Sequence, residues 1–150
     1  MPTPLPLLLA MTFRLSTDRL HARLAEEGHP DIRPAHGFAV GYLVTSRGAT
    51  AVELASHLGV TKQGAAHIIR ELERWGYAER VRHPTDGRSQ LVVATDMGYA
   101  LVARVTAIWQ EEEVRWIALT SADSVGDMRE TLQTYVAATS DDMPPMRPVW

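Results

Sequence analysis

VTKQGAAHIIRELERWGYAERVRHPTDGRSQLVVAT, residues 60–95, changes its hydrophobic period partway along, and that change decides the fold. In the first half Ala65, Ile68, Ile69 and Leu72 recur at i, i+3, i+4 and i+7, the spacing of one helical face. Thr61 stands where an N-cap belongs, and Trp75-Gly76-Tyr77 closes the helix. Lys62, Gln63, Ala66, His67 and Arg70 are thereby turned outward. In the second half Ala78–His83 and Ser89–Ala94 are short β-prone runs. Between them Pro84-Thr85-Asp86-Gly87-Arg88 carries the Asp-Gly hairpin signal.

Just upstream, Thr50-Ala51-Val52-Glu53 has the form of a capping box. Thr50 then opens a short helix to Leu58, and Gly59 stops it in a left-handed conformation. A short helix, a glycine turn, a second amphipathic helix and a β-hairpin make a winged helix-turn-helix. In such a unit the first helix braces the second. The second offers polar side chains to a DNA major groove about 12 Å wide, and the hairpin reaches the adjacent minor groove.

The flanks are helical. From about Leu7 to Glu27 the residues Leu9, Phe13, Leu20 and Leu24 form one stripe, widened by Leu8, Met11 and Leu15. Gly28-His29-Pro30-Asp31 ends that helix, and Pro34 opens another running to about Ser46. Gly37 and Gly41 lie four apart in it, which permits close approach of a backbone or a ligand. Arg47-Gly48 is a turn. Thr95 caps a helix from about Asp96 to Ala118, and Thr120-Ser121-Ala122-Asp123 repeats the capping-box pattern before a last helix to about Ala138. The tail, residues 140–150, holds three prolines and reads as extended or loose. About 100 positions are thus expected to be helical, well above the usual third.

Composition limits the function. The 150 residues make one domain, with no cysteine for disulfides, thiolate metal sites or thiol redox chemistry. The longest uncharged apolar stretch, Leu5 to Met11, is far short of a membrane span, and no basic segment precedes it as in a signal peptide. A cytoplasmic protein with no membrane partner is therefore expected. The net charge is −3, which on its face opposes nucleic-acid binding. Its distribution says otherwise. Residues 61–92 carry Lys62, Arg70, Arg74, Arg80, Arg82 and Arg88 against Glu71, Glu73, Glu79 and Asp86, a net +2. Residues 110–150 carry three arginines against eight acids, a net −5.

Residues 32–104 resemble the MarR family of winged-helix transcriptional regulators. The resemblance rests on Thr50–Gly59, on Val60–Arg80, on the wing Asp86-Gly87-Arg88-Ser89 and on Thr95-Asp96-Met97-Gly98 after it. It implies a mainly α fold with a small β wing. A winged helix-turn-helix lobe (32–95) would join dimerisation helices at 1–31 and 96–139. It also implies a homodimer, a ligand pocket between the dimer helices and the lobe, and binding to a pseudo-palindromic operator in double-stranded DNA. The chain departs from the family pattern at Gly64, at Gly37 and Gly41, and in its acidity.

The expected DNA contacts are Thr61, Lys62, Gln63, His67 and Arg70 on the recognition helix, 61–75, and Arg88 on the wing, 84–89. Gln63 suits adenine, Lys62 a guanine or a phosphate, and Thr61 with the free helix N-terminus a phosphate. The Arg88 guanidinium suits a narrow minor groove. Asp86 is expected to orient Arg88 or a recognition-helix cation and to cap the turn as an Asx residue. Arg70, Arg74 and Arg82 are expected on phosphates or in ion pairs with Glu71, Glu73 and Glu79. Gly37, Gly41 and Trp109 are the candidate lining of a pocket for an aromatic or lipophilic effector. Trp75, Trp109, Trp116 and Trp150 are otherwise expected in the core or at a dimer contact. Glu111-Glu112-Glu113 reads as a solvated helix face. No metal-ligand spacing, cofactor motif or catalytic constellation appears, so no metal, no cofactor and no enzyme is expected. The sequence thus predicts a ligand-responsive homodimeric repressor. The alternative, supported by the net charge and Gly64, is a winged-helix protein-interaction module with an acidic C-terminal contact surface.

Overall fold

The computed structural model describes residues 1–140; the segment 141–150, with most of the expected tail and Trp150, lies outside the described residues. Among the described residues six helices and one hairpin follow in order: α1 (Leu5–Glu26), α2 (Pro34–Ser46), α3 (Ala51–Leu58), α4 (Lys62–Arg74), β1 (Ala78–Arg82), β2 (Gln90–Ala94), α5 (Asp96–Leu119) and α6 (Ala122–Thr139). The chain is mainly α with a small β wing. Among the described residues no helix is long and apolar enough to cross a membrane.

Local signals place most boundaries. The Thr50 hydroxyl accepts from the Glu53 N–H, and the Glu53 carboxylate accepts from the Thr50 N–H, the two halves of a capping box. Gly59 ends α3 at φ +62°, and the Thr61 hydroxyl accepts from the Gly64 N–H to open α4. At α6 the boundary lies one residue from the expected place: Ser121, not Thr120, caps the helix, because the Thr120 hydroxyl is committed to the Trp116 carbonyl. α1 starts two residues earlier than expected, since Pro6 costs nothing in a first turn whose N–H groups lack helical partners.

The core lies where α2, α3, α4, α5 and the hairpin meet, around Leu43, Leu54, Leu58, Ile69, Leu72, Val92 and Leu101. The strands pair antiparallel, with Arg80 opposite Val92. Ala49, in the α2–α3 connection, adds a bridge to Val92 through hydrogen bonds of 2.9 and 2.8 Å. That bridge ties the base of the wing to the helix-turn-helix. At the start of α5 the Thr95 N–H donates to the Tyr77 carbonyl, and the Thr95 hydroxyl to the Gly76 carbonyl. A Cβ at Gly98 would stand 2.2 Å from the Tyr77 carbonyl oxygen. The Thr-x-x-Gly motif is therefore a docking device: the threonine hooks α5 onto the α4–β1 connection, and the glycine lets the two backbones touch.

Two expectations fail on burial. Leu8, Met11 and Leu15 do not widen the core stripe of α1; they are exposed, because α5 covers a narrower face that includes Leu20 and Leu24. Glu112 is not on a solvated face. It is buried between α1 and α5, where it accepts from the Ser16 hydroxyl at 3.2 Å, the Arg19 guanidinium at 2.7 Å and the Trp116 indole at 3.3 Å. A buried carboxylate needs such partners.

The end of α1 is held to α5 by Glu27, which accepts from Arg104 at 2.8 Å and from Arg23 at 2.9 Å. The Arg104 hydrogen bond, then that of Arg23, lowers the Glu27 carboxyl to about 2. A lowered folded-state value means stability is present above the ordinary carboxylate range and is lost as pH falls toward 2. Glu27→Gln should therefore flatten the plot of Tm against pH between about 4.5 and 2. An acid limb as steep as that of the wild type would remove this role.

Candidate nucleic-acid interface

α4 divides as its period predicts. Ala65, Ile68, Ile69 and Leu72 are buried, while Lys62, Gln63, His67 and Arg70 are exposed. The helix is short and its inner face is fully occupied by the core, so its outer polar face is held rigidly. Thr61 caps it and is itself exposed. Gly64 sits in this first turn, where a Cβ would lie 3.3 Å from the Thr61 hydroxyl.

The wing is closed by its own side chains. The Asp86 carboxylate accepts from the Arg88 N–H at 3.0 Å, the expected Asx turn. No ion pair joins Asp86 to the Arg88 guanidinium, so its contact is with the backbone. His83, expected only as a strand end, accepts at Nδ1 from the Asp86 N–H at 3.1 Å. Its backbone N–H donates to the Ser89 carbonyl at 3.2 Å, so one residue clamps both sides of the turn. A histidine three positions before the Asp-Gly pair is the local signal that could have revealed it.

A cleft of about 640 Å³ separates the wing from the N-terminal ends of α3 and α4, with Thr50, Lys62, Arg80, Arg82 and Arg88 on its walls. The fold thus brings Lys62 and Arg88 together across 26 positions of sequence; Gln63, His67 and Arg70 continue the surface along α4. Ion pairing then sorts the cations. Arg80 is bonded to Glu73 at 3.0 Å, and Arg74 lies 3.8 Å from Glu71 and over the Trp75 ring. Among the described residues Lys62, Arg70, Arg82 and Arg88 have no carboxylate partner. Four cations on this side of the molecule therefore have no ion-pair partner among the described residues, in a segment whose net charge is +2 while the whole chain is −3.

Glu71 also accepts from His36 Nε2 at 2.8 Å, and that hydrogen bond holds its carboxyl below the ordinary range. The candidate effector residues lie elsewhere. Gly37 and Gly41 are half-buried on α2, and a Cβ on either would meet nothing within 4 Å, so no backbone among the described residues approaches them closely. Trp109 packs against the core from α5, and α2 and α5 are in contact.

The chain and its fold are similar to known proteins. A family model described as MarR family matches residues 31–89. An HTH-type transcriptional repressor of Mycobacterium tuberculosis is 31% identical over 91 residues, covering 61% of this chain and 66% of the relative. The match thus spans just under two thirds of that relative's length. The reduced form of MarR from E. coli superposes with a TM-score of 0.79 at 23% identity, covering 91% of this chain and 98% of the other. A point mutant of MepR from S. aureus, bound to an oligodeoxyribonucleotide, superposes with a TM-score of 0.64 at 23% identity, covering 93% and 100%.

Proposed function

We propose that the chain is a member of the MarR family, whose model matches residues 31–89, and a sequence-specific DNA-binding transcriptional regulator acting as a homodimer. The observation that carries the reading is the set of unpaired cations, Lys62, Arg70, Arg82 and Arg88, on the surface shared by the outer face of α4 and the wing. In this reading Thr61, Lys62, Gln63, His67 and Arg70 enter a major groove, and Arg88 enters the adjacent minor groove. Residues 32–95 form the DNA-binding lobe, and 1–31 with 96–139 form the dimerisation helices. Exposed Leu7, Met11 and Leu15 on α1, with Tyr135 and Val136 on α6, supply apolar surface for a second copy. Two lobes would then meet half-sites about one helical turn, roughly 34 Å, apart.

Repression is the proposed sign, as in the relative named above. Response to an aromatic or lipophilic molecule is proposed for the region of Gly37, Gly41 and Trp109, where a Cβ added at either glycine would meet nothing within 4 Å. Such a molecule changes DNA affinity only if it binds the two lobe arrangements unequally.

The test is a salt titration of binding to duplexes selected by the protein from a randomised pool. Phosphate contacts release counterions, so log affinity should fall linearly with log salt. Absence of binding at low salt, or a slope near zero, would overturn the reading. Arg88→Ala should weaken binding at least tenfold, since a charge-assisted contact is worth roughly 1.5–3 kcal/mol. Unchanged affinity would remove the wing from the interface.

A further inference from the structure

Glu71 joins two histidines that lie 31 positions apart in the chain. His36 is 3% exposed and sits in the first turn of α2, where its Nδ1 accepts the Arg33 N–H at 2.9 Å. With Nδ1 so occupied, the neutral ring carries its proton on Nε2 and donates it to Glu71 Oε2 at 2.8 Å. Trp75 packs edge-on against the same ring, with centroids 4.8 Å apart. The carboxylate is therefore held from behind by a side chain that cannot turn. The same Oε2 lies 3.4 Å from Nε2 of His67, one turn earlier on the outer face of α4. The His67 side chain is 66% exposed and has no other polar partner among the described residues.

From this arrangement we infer that Glu71 is a specificity-positioning residue: anchored by His36, it takes the Nε2–H of His67 and leaves His67 Nδ1 as a hydrogen-bond acceptor for an amino group on a base edge. The inference rests on the DNA-binding reading above. It has a chemical consequence. Phosphate oxygens and guanine N7 and O6 are acceptors and cannot bond an acceptor Nδ1; the adenine N6 and cytosine N4 amino groups can. The Glu71 charge acts in the same direction, since it repels phosphate. His67 then contributes base preference, while Lys62, Arg70, Arg82 and Arg88 contribute affinity.

Two measurements test this. At pH 8, where an unperturbed imidazole is neutral, long-range proton–nitrogen NMR of the full chain should show His67 in the Nε2–H tautomer. His67→Ala assigns the signals. Glu71→Ala should release His67 to a mixture of tautomers. Glu71→Gln should keep the tautomer, because its amide oxygen can stand where Oε2 serves both histidines; if Glu71→Ala does not fold, the wild-type spectrum alone decides the matter. In the second measurement, duplexes selected by the wild type are varied one base pair at a time. The wild type should favour an amino-bearing base at one position of each half-site by about three- to tenfold. His67→Ala and Glu71→Ala should abolish that preference and leave other positions unchanged, Glu71→Gln should keep it, and the double alanine variant should be no worse than either single one. A mixed tautomer in the wild type, additive losses, or a uniform loss at every position would overturn the inference while the DNA-binding reading stood. A locked tautomer in a protein that selects no sequence would overturn the DNA-binding reading, and this role with it.

Discussion

Gly98→Ala should destabilise the chain by about 3–5 kcal/mol, lowering Tm by roughly 10 °C or more. The reason is a backbone collision. The added methyl would sit 2.2 Å from the Tyr77 carbonyl oxygen and 3.2 Å from Ala94 Cβ. Tyr77 cannot retreat: it is 3% exposed, its carbonyl accepts the Thr95 N–H at 3.1 Å, and its N–H is bonded to the Leu72 carbonyl. Relief requires α5 to slide from the α4–β1 connection, breaking both Thr95 hooks. Overpacking against side chains costs about 1–3 kcal/mol; here the nearest group is backbone in regular hydrogen-bonded structure, so the upper end of that range is a lower bound. Gly41→Ala is the matched control. Its methyl meets nothing within 4 Å in a helix interior, so it should be neutral or stabilising by up to about 1 kcal/mol. Thermal unfolding followed by circular dichroism decides it. A Gly98→Ala protein melting within about 2 °C of the wild type would show that the close approach is not built in.

Caps and helix faces are legible in a single chain; contacts between distant segments are not. Thr50, Thr61, Thr95 and Gly59 are legible because a cap is satisfied within three or four residues, so its signal is local. The outer face of α4 is legible because Ala65, Ile68, Ile69 and Leu72 fix the inner one. The ambiguity at Thr120-Ser121 arises because either hydroxyl satisfies a cap pattern, and the competing acceptor, the Trp116 carbonyl, decides between them. Burial of Glu112 is not legible: it depends on which face of α5 meets Ser16 and Arg19 on α1, nearly a hundred positions away. The Ala49–Val92 bridge and the His36–Glu71 contact are long-range in the same sense. Within the interface, sequence supplies the residue types, and pairing in three dimensions separates free cations from neutralised ones. Arg74 and Arg80 look equivalent to Arg70 and Arg82 in the sequence; the positions of Glu71 and Glu73 make them different.

That separation yields the second large effect. Replacing Lys62, Arg70, Arg82 and Arg88 together by alanine should lower DNA affinity roughly 10³-fold or more at 0.15 M salt. The segment 61–92 would pass from net +2 to net −2, since four positive charges leave and none of the acids does. The slope of log affinity against log salt should flatten by about 0.9 for each phosphate no longer neutralised. Stability should hardly change, because none of the four side chains is bonded within the described residues and all are exposed. Arg129→Ala is the control that distinguishes a local surface from total charge. Arg129 lies on α6, is paired with Glu113, and belongs to the acidic half of the chain. Removing it also makes the protein more negative, yet it should leave the salt slope unchanged, because surface charges farther than about a Debye length, near 8 Å, are screened. Equal losses from Arg129→Ala and from a single replacement among the four would mean that phosphates sense the whole molecule. A fourfold variant that keeps both its affinity and its slope would place the nucleic-acid surface elsewhere on the chain.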